Sequence, residues 1–499
     1  MPHNITLTST SLNLIHRSLT AQEKAEFGLA RTPGGLQLCL LAPWNSAALH
    51  RFSGTASELD GKVLLLCPLT AHNAASLREL LPWLQPRPLG LQTSAGMGDR
   101  LGLATPGHIR AVRSVGGQIA PIFAQQSIRE MTRTGRSPQQ VMDEATWGVF
   151  AEGWQEGVGA DADHLKTTAD IDDCLPAGFT FFTIDPGEHV DNRAETADLS
   201  HLRQLAESLP AEAHPRISGL AGKLFDIEGW QIQFDEFTLL KAAVKYGRAV
   251  AHVAALYHHL VSAAGARPVE LEVSVDETDQ PTSHAEHVYI ASQLLRLGVR
   301  WVSLAPRYVG HFEKGVDYIG NLSDFEADFA GHALIAQYFG GYKLSLHSGS
   351  DKFSIYPITS RLAQGRVHLK TAGTSYLEAL RTIAGLDPEL FGEIYRFARG
   401  RYAVDRVSYH VSADPAQAGA GLALGADGLP GESDLPRLLD DFHAREILHV
   451  TYGSVLTEKT AQGRLRFYDR LIALLRLHPE AYAQNLERHF IKHLQPFVR

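Results

Sequence analysis

The stretch GADADHLKT, residues 159–167, decides the fold and the position of the site. It begins as a strand-like segment in which small residues alternate with aspartate, and Asp163, His164 and Lys166 follow within four residues. Aspartate and lysine are almost never fully buried without partners, so three ionisable groups at one strand end predict a polar site rather than a packed interior. The fold then depends on whether other strands end in the same way.

Short apolar runs alternate with longer helical patterns on both sides of this stretch, which is typical of strand–helix units in a parallel sheet. Eight strands are predicted, at residues 89–93, 119–125, 160–165, 179–184, 269–275, 301–304, 342–346 and 367–371. Eight such units within residues 86–375 predict an α/β fold, the (β/α)8 TIM barrel, with an insertion at about residues 186–268. A doubly wound open sheet is the alternative.

Polar residues at the strand ends favour the barrel. A barrel collects functional residues at the carboxyl ends of all its strands, whereas an open sheet concentrates them at one switch point. Most of the predicted strands end in polar residues: Gln125 and Gln126, Asp163 and His164, Asp185, Asp276 and Glu277, Arg307 with His311 in the following loop, His347, and Lys370.

Two further regions flank the predicted barrel. Residues 1–85 contain an apolar run at 63–69 and a helical pattern at 74–81, which predict an N-terminal α/β addition. Residues 376–499 carry helical spacing of apolar positions and predict a C-terminal helical extension. In this extension, His410 and His449 are candidates for a supporting role at the barrel mouth.

The composition favours a small-molecule enzyme of the cytoplasm. The 499 residues are 44% hydrophobic and 20% charged, and a net charge of −9 without a cluster of basic residues argues against nucleic acid as a partner. Three cysteines are too few for a disulfide framework. Neither a secretory signal nor an apolar run of about 18 residues is recognisable, so we expect no membrane partner. The oligomeric state is left open.

Three of the 24 histidines stand at or just after strand ends, His164, His311 and His347. Imidazole is a common metal ligand, and three ligands leave coordination positions open for substrate oxygens. The pattern predicts one divalent metal cation, with Zn, Ni, Mn and Fe as candidates. Separate histidines, each hydrogen-bonded at its own strand end, are the alternative.

Two carboxylates are candidates for proton transfer, Asp163 and Glu277. Neighbouring residues of a strand point to opposite faces, so Asp163 and His164 share a site only if the strand ends or bulges there. Asp161 is in phase with Asp163 and is its rival. For Glu277 the alternative is a solvated loop carboxylate.

Further strand-end groups suit an anionic, polyhydroxylated substrate. Arginine and lysine can bind its carboxylate, and amide or carboxylate groups can bind its hydroxyls. The alternative for each cation is an ordinary surface charge. The candidate substrate-binding residues are Gln125, Arg129, Lys166, Asp185, Arg307 and Lys370.

Several long segments together resemble the tagaturonate epimerase family. They are GDRLGLATPGH at 98–108, FAQQSIRE at 123–130, GADADHLKT at 159–167, FTIDP at 182–186, VDET at 275–278 and LHSGSDK at 346–352. The resemblance therefore extends from about residue 95 onward.

The resemblance implies a divalent-metal-dependent isomerase that interconverts D-tagaturonate and D-fructuronate in bacterial hexuronate catabolism. It implies Asp163 as proton acceptor and Glu277 as proton donor. It also implies metal ligands, which are His164, His347 and His311, with His332 or His284 as alternatives to His311. A metal-dependent sugar-acid aldolase or ketose isomerase, and a non-catalytic sugar-acid-binding barrel, are the alternative functions. Retro-aldol cleavage followed by aldol rejoining is our hypothesis for the mechanism.

Overall fold

The structure is a computed structural model and describes residues 6–423, 425 and 429–498. Its N-terminal part is an antiparallel sheet with the strand order β1-β2-β3-β5-β4. The strands are β1 (Asn13–Gln22), β2 (Ala25–Thr32), β3 (Gly35–Ala42), β4 (Thr55–Leu59) and β5 (Lys62–Pro68). Helix α1 (Ala71–Leu80) follows, and the Thr70 side chain caps its first turn.

Parallel strands close into the predicted barrel, in the order β12-β13-β14-β15-β6-β7-β8-β9. Its strands are β6 (Ser94–Gly96), β7 (Ala120–Ser127), β8 (Gly159–Leu165), β9 (Phe181–Ile184), β12 (Glu270–Val275), β13 (Ser303–Pro306), β14 (Lys343–Leu346) and β15 (Val367–Lys370). The intervening strands β10 (Leu224–Ile227) and β11 (Trp230–Gln233) form a separate hairpin. Because β15 pairs with β6 and β9 pairs with β12, the barrel has no free edge.

The first barrel strand lies later than predicted, at Ser94–Gly96 instead of residues 89–93. The backbone N–H groups of Leu89 and Gly90 donate to the carboxylate of Glu270, at 2.8 and 2.5 Å. These residues therefore find their hydrogen-bond partner in a side chain and not in a neighbouring strand. The prediction of a strand at 89–93 was wrong for this reason.

Helices surround the barrel and alternate with its strands. They are α2 (Thr105–Ser114), α3 (Ile128–Thr134), α4 (Pro138–Glu152), α5 (Thr168–Ala177), α6 (Leu199–Ala206), α7 (Glu236–Ala264), α8 (His284–Arg296), α9 (Leu322–Tyr338), α10 (Tyr356–Leu362) and α11 (Thr374–Leu386). Helix α6 and the β10–β11 hairpin lie in the segment between β9 and α7, where the insertion is predicted. The predicted boundary at residue 375 falls at the start of α11.

The C-terminal part is helical, as predicted. Its helices are α12 (Pro388–Asp405), α13 (Phe442–Val450), α14 (Tyr452–Thr457), α15 (Tyr468–Leu477) and α16 (Pro479–Leu494). Helix α16 packs against α2 and α11, so the extension covers the side of the barrel where the chain enters and leaves it. Among the described residues, no helix is both long and apolar enough to cross a membrane.

Candidate active site

A bulge at the end of β8 turns two neighbouring residues toward one cavity. The pairing of β8 with β9 shifts in register between Ala162 and Leu165, and His164 has a φ of 55°. This left-handed conformation is uncommon for a residue other than glycine. Asp163 and His164 both line a small cavity at the carboxyl ends of the strands. The structure thus meets the condition under which these neighbours share a site.

Asp163 is buried and held by three side chains. Its Oδ1 lies 2.6 Å from His164 Nδ1 and 2.5 Å from Lys370 Nζ, and its Oδ2 accepts a hydrogen bond of 3.0 Å from Gln125 Nε2. Burial alone would raise the pKa of Asp163, but His164 and Lys370 together hold it well below its usual range. Asp163 is therefore an ionised carboxylate that can accept a proton.

The rival carboxylate, Asp161, lies deeper in the barrel. It is fully buried, contacts Lys370 Nζ at 3.0 Å, and accepts a hydrogen bond of 3.0 Å from Thr183 Oγ1. Burial raises the pKa of Asp161 to about 7. Asp161 does not line the cavity, however, and a general base must reach the proton that it removes. Geometry thus favours Asp163 for this role.

His347 follows β14 and lies between two carboxylates. Its Nε2 is 2.7 Å from Glu272 Oε1, and its Nδ1 is 3.1 Å from Asp276 Oδ1. Burial alone would lower the pKa of His347, but Asp276 and Glu272 raise it to about 10. The ring of His164 is near, with its centroid 5.0 Å from that of His347.

The residues present fit a divalent cation. His164, Asp276 and His347 each offer a ligand atom, and these atoms lie within 4.8 Å of one another. Two imidazoles and a carboxylate suit Zn, Ni, Mn or Fe. In both histidines the other ring nitrogen contacts a carboxylate, and such outer contacts orient histidine ligands. A cation here would replace the proton between His347 Nδ1 and Asp276.

His311, one of the predicted ligands, is not part of this group. It is exposed, pairs with Ile319 in an isolated bridge, and lines a larger, adjoining cavity. The alternatives, His284 and His332, lie together in a different group. The role of His311 stays a prediction, and Asp276 is a candidate ligand that the sequence analysis did not include. Its signal is the strand phase, since Asp276 follows Glu272 and Ser274 on the inner face of β12.

Glu277 faces the adjoining cavity next to Arg129. Glu277 Oε1 and Arg129 Nη2 are 3.2 Å apart, and both residues line this cavity together with Arg307. Burial alone would raise the pKa of Glu277, but the charges of His164 and Arg129 outweigh this effect and hold the pKa below its usual value. The charge of His164 thus acts on the two carboxylates predicted for proton transfer, Asp163 and Glu277.

Lys370 lies at the centre of an ionic network beneath the cavity. Its Nζ is 3.0 Å from Asp161 Oδ2, 2.5 Å from Asp163 Oδ1 and 2.9 Å from Glu272 Oε1, and it also contacts Thr183 Oγ1 at 2.6 Å. Burial would lower the pKa of Lys370, but these carboxylates raise it above its usual value. Because an ammonium has three donors, these partners engage all of them. Lys370 thus fixes the positions of the carboxylates, while a direct contact with substrate stays a prediction.

Three candidate substrate-binding residues lie outside both cavities: Gln125, which donates to Asp163, and Lys166 and Asp185. Lys166 Nζ contacts Glu188 Oε1 at 2.9 Å and lies 3.7 Å from Asp185 Oδ2. Asp185 in turn accepts a hydrogen bond of 2.8 Å from the backbone N–H of Gly187. The substrate-binding role of Lys166 and Asp185 stays a prediction.

Residues to which the sequence assigned no role also line the smaller cavity. Arg100 donates to Glu130 Oε1 at 2.8 Å, and its guanidinium stacks 3.6 Å above the centre of the Tyr452 ring. His449 reaches the smaller cavity and His410 the larger one, so the C-terminal extension contributes to both walls. The cavity-lining residues without a predicted role include Arg100, Glu130, Lys314 and Tyr409. A single arginine in a glycine-rich loop is typical of the surface, which is why Arg100 was missed.

Comparison with known proteins assigns this architecture to a family. The model of the UxaE family, tagaturonate epimerase, matches residues 15–497. The chain belongs to the tagaturonate epimerase family. A tagaturonate/fructuronate epimerase of Thermotoga maritima is 43% identical over 478 residues, which cover 96% of this chain and 95% of that protein.

Crystal structures of a second relative agree with the assignment to the tagaturonate epimerase family. The fructuronate-tagaturonate epimerase UxaE from Cohnella laeviribosi, solved with two glycerol molecules, is 37% identical and has a TM-score of 0.91 over 99% of this chain and 98% of that one. Its native form is 36% identical, with a TM-score of 0.90 over 99% and 98%. The predicted family is confirmed, and the protein is an epimerase, an enzyme of the isomerase class.

Proposed function

We propose that this epimerase interconverts D-tagaturonate and D-fructuronate, with one divalent cation bound, by breaking and rejoining a carbon–carbon bond. The names of its relatives from Thermotoga maritima and Cohnella laeviribosi support the substrate pair. The observation that carries the proposal is the bulge at His164. Because of it, the Asp163 carboxylate and the ligand group of His164, Asp276 and His347 meet at one cavity.

The chemistry of the substrates favours retro-aldol cleavage. The two keto acids differ at a carbinol carbon that is one bond beyond the carbon next to the ketone. The ketone does not acidify the hydrogen on that carbinol carbon, so simple enolisation cannot invert the centre. Removal of the hydroxyl proton can invert it, because the carbon–carbon bond then breaks to give an enediolate and a three-carbon aldehyde. The aldehyde rotates, the bond forms again on its other face, and the new alkoxide takes up a proton.

Asp163 and Glu277 have opposite tasks in this scheme. Ionised Asp163 accepts the hydroxyl proton, oriented by Gln125 and Lys370, and Glu277 donates a proton to the new alkoxide. In the reverse direction the two exchange roles. Burial beneath an anionic substrate raises the pKa of both carboxyls, which lets the pair hold the one proton that the reaction needs.

A cation held by His164, Asp276 and His347 would supply Lewis-acid stabilisation of negative oxygen charge. Arg129 and Arg307 line the larger cavity and suit the substrate carboxylate there. Arg129 also forms an ion pair with Glu277, the proposed proton donor, and this contact helps to fix the position of the Arg129 guanidinium.

The cation requirement is tested by stripping the protein with a chelator and reloading it. We expect loss of tagaturonate epimerisation and its recovery with Zn, Ni, Mn or Fe. His347→Gln is expected to lower activity at least tenfold and to remove one bound metal ion per chain. His258→Gln is the matched control, since His258 is exposed on α7, where its Nε2 donates to the Leu297 carbonyl at 3.1 Å and its ring lies beside that of Tyr257. Full activity of the metal-free enzyme would overturn the proposal.

The mechanism is tested by the fate of the fragments. An added aldehyde should compete for the enediolate and give crossed products, and reaction in D2O should leave no deuterium at the epimerised carbon. Solvent deuterium at that carbon, or hydride transfer through a bound nicotinamide, would refute cleavage. Release of the aldehyde without epimerisation identifies an aldolase, formation of an aldose identifies a ketose isomerase, and binding without turnover identifies a binding protein.

A further inference from the structure

A second cluster of metal-ligating type lies between α8 and α9. His284 is the first residue of α8, and Asp328 and His332 lie one turn apart on α9. Each offers a ligand atom, and these atoms lie within 4.8 Å of one another. The cluster shares no residue with the group at the cavity. The ring of Tyr308, which lines the larger cavity, packs against His332 with the ring centres 5.5 Å apart.

The separations fit a cation better than they fit direct hydrogen bonds. His332 Nε2 lies 3.6 Å and His284 Nε2 3.7 Å from Asp328 Oδ1. Both distances are too long for a hydrogen bond. Ligands of a tetrahedral zinc centre, each bonded at about 2.0–2.2 Å, stand roughly 3.3–3.6 Å apart. These two separations are close to those in a zinc centre, and all three ligand atoms lie within 4.8 Å of one another.

His332 supplies an independent indication. It is fully buried, and its Nε2 has no hydrogen-bond partner among the described residues. A buried polar atom without a partner costs free energy, and an unplaced ion is one of the usual reasons for it.

The outer contacts of His332 complete the pattern. Its Nδ1 lies 2.8 Å from His287 Nδ1, and His287 Nε2 lies 2.6 Å from Tyr342 Oη. If each histidine donates outward along this chain, His332 Nε2 keeps its lone pair for the cluster. Histidine ligands commonly donate their other ring N–H in this way.

The backbone leaves room for this cluster at Gly331. A Cβ atom there would lie 2.4 Å from His284 Nε2 and 2.1 Å from the ring of Trp230. Glycine thus lets His284 approach α9 while Trp230, on the β10–β11 hairpin, packs against the imidazole with the ring centres 4.8 Å apart. In the absence of a cation, His284 Nε2 donates to the Asp328 carbonyl at 3.0 Å.

We propose that His284, Asp328 and His332 bind a second divalent transition-metal ion, with zinc as the preferred ion, and that this ion joins α8 to α9. Two imidazoles and one carboxylate are a ligand set for zinc, and His284 is partly exposed, so solvent can supply the fourth ligand. The ion is structural, because Tyr308 separates it from the cavity.

The test uses the full-length double variant His164→Gln/His347→Gln, which lacks two ligands of the cavity group. After chelation and reloading with zinc alone, elemental analysis should find about one zinc per chain. Adding His284→Gln should reduce this at least tenfold, whereas adding His258→Gln should leave it unchanged. Zinc should also raise the thermal unfolding midpoint of the double variant but not of the His284→Gln triple variant.

His284 is suited to this test because it lies at the edge of the cluster, so its variant should fold, which circular dichroism checks. Asp328→Asn in the double variant provides a second, independent removal of a ligand and should give the same loss. A double variant that binds no zinc, or triple variants that bind as much as the double variant, would overturn the proposal. Neither result depends on the epimerase reaction.

Discussion

Lys370→Met tests whether one buried ammonium organises the candidate active site. The substitution removes the cation shared by Asp161, Asp163 and Glu272, all within 3.0 Å of Nζ. Removing one partner of a buried ion pair costs about 3–5 kcal/mol. Because the pKa of Asp161 is already about 7, part of the remaining charge is relieved by protonation. We therefore expect Lys370→Met to lower the free energy of unfolding by about 3–5 kcal/mol in total at pH 7.5, and not by that amount for each of the three pairs.

Lys343→Met is the matched control. Lys343 is also fully buried in the barrel interior, where it donates to Ser94 Oγ at 3.0 Å. Burial lowers the pKa of Lys343 to about 8 against the opposing charges of Glu270, Glu272 and Asp161, and among the described residues its ammonium forms no ion pair within 4.0 Å. The same change of side chain thus removes a hydrogen bond but no ion pair, and should cost about 0.5–1.5 kcal/mol.

Urea unfolding at pH 7.5 and pH 5, followed by tryptophan fluorescence, measures both costs. In the wild type, the pKa values of Asp163 and Glu272 are lowered, so these carboxylates contribute stability that is present above their unfolded pKa and is lost as the pH falls. Without Lys370 they take up protons at a higher pH, so the penalty of Lys370→Met should be smaller at pH 5. Equal costs for the two variants at both pH values would refute the reasoning.

Further predictions concern proton transfer, the bulge and a buried acid. Asp163→Asn should lower kcat for epimerisation about 10²- to 10⁴-fold with little change in KM, whereas Asp172→Asn, an exposed site on α5, should match the wild type. The free energy of unfolding of His164→Val should be about 1–2 kcal/mol lower than that of His164→Asn, because valine resists a positive φ. Equal urea midpoints for the two variants would contradict this. Burial and the neighbouring Glu313 raise the pKa of Glu446 to about 8, so folded protein binds an extra proton and loses stability as the pH rises toward 8. Glu446→Gln should remove about 1–3 kcal/mol of that loss between pH 6 and 8.5. If the unfolding free energies of the variant and the wild type, measured in urea, fall by the same amount over this pH range, the prediction is wrong.

The barrel was predictable because its signals are local. Each strand and helix carries its own spacing of apolar residues, and the polar strand ends mark one face. The first strand was misplaced because the partner of Leu89 is Glu270, 181 residues away in the chain. Hydrogen bonds over such distances leave no mark in a local pattern, so the apolar run at 89–93 resembles a strand.

The site was only partly predictable for a related reason. The sequence places Asp163 and His164 side by side, but the left-handed φ of His164 depends on the pairing of β8 with β9, and no glycine marks it. Because imidazole is a common metal ligand, the pattern of histidines predicts His311 as a ligand, although it lies in a loop after β13. Asp276 was passed over, although it continues the inner face of β12 and contacts His347.

The C-terminal extension lines the candidate active site, and this could not be deduced from its helical pattern. Arg100, in the loop after β6, pairs with Glu130 and stacks on Tyr452, the first residue of α14. Arg100 also donates to the backbone carbonyl of His449 at 3.4 Å. Because a buried guanidinium is stable only with such partners, the barrel loop and the extension each require the other. The cavity wall therefore forms only when the barrel and the C-terminal helices fold together.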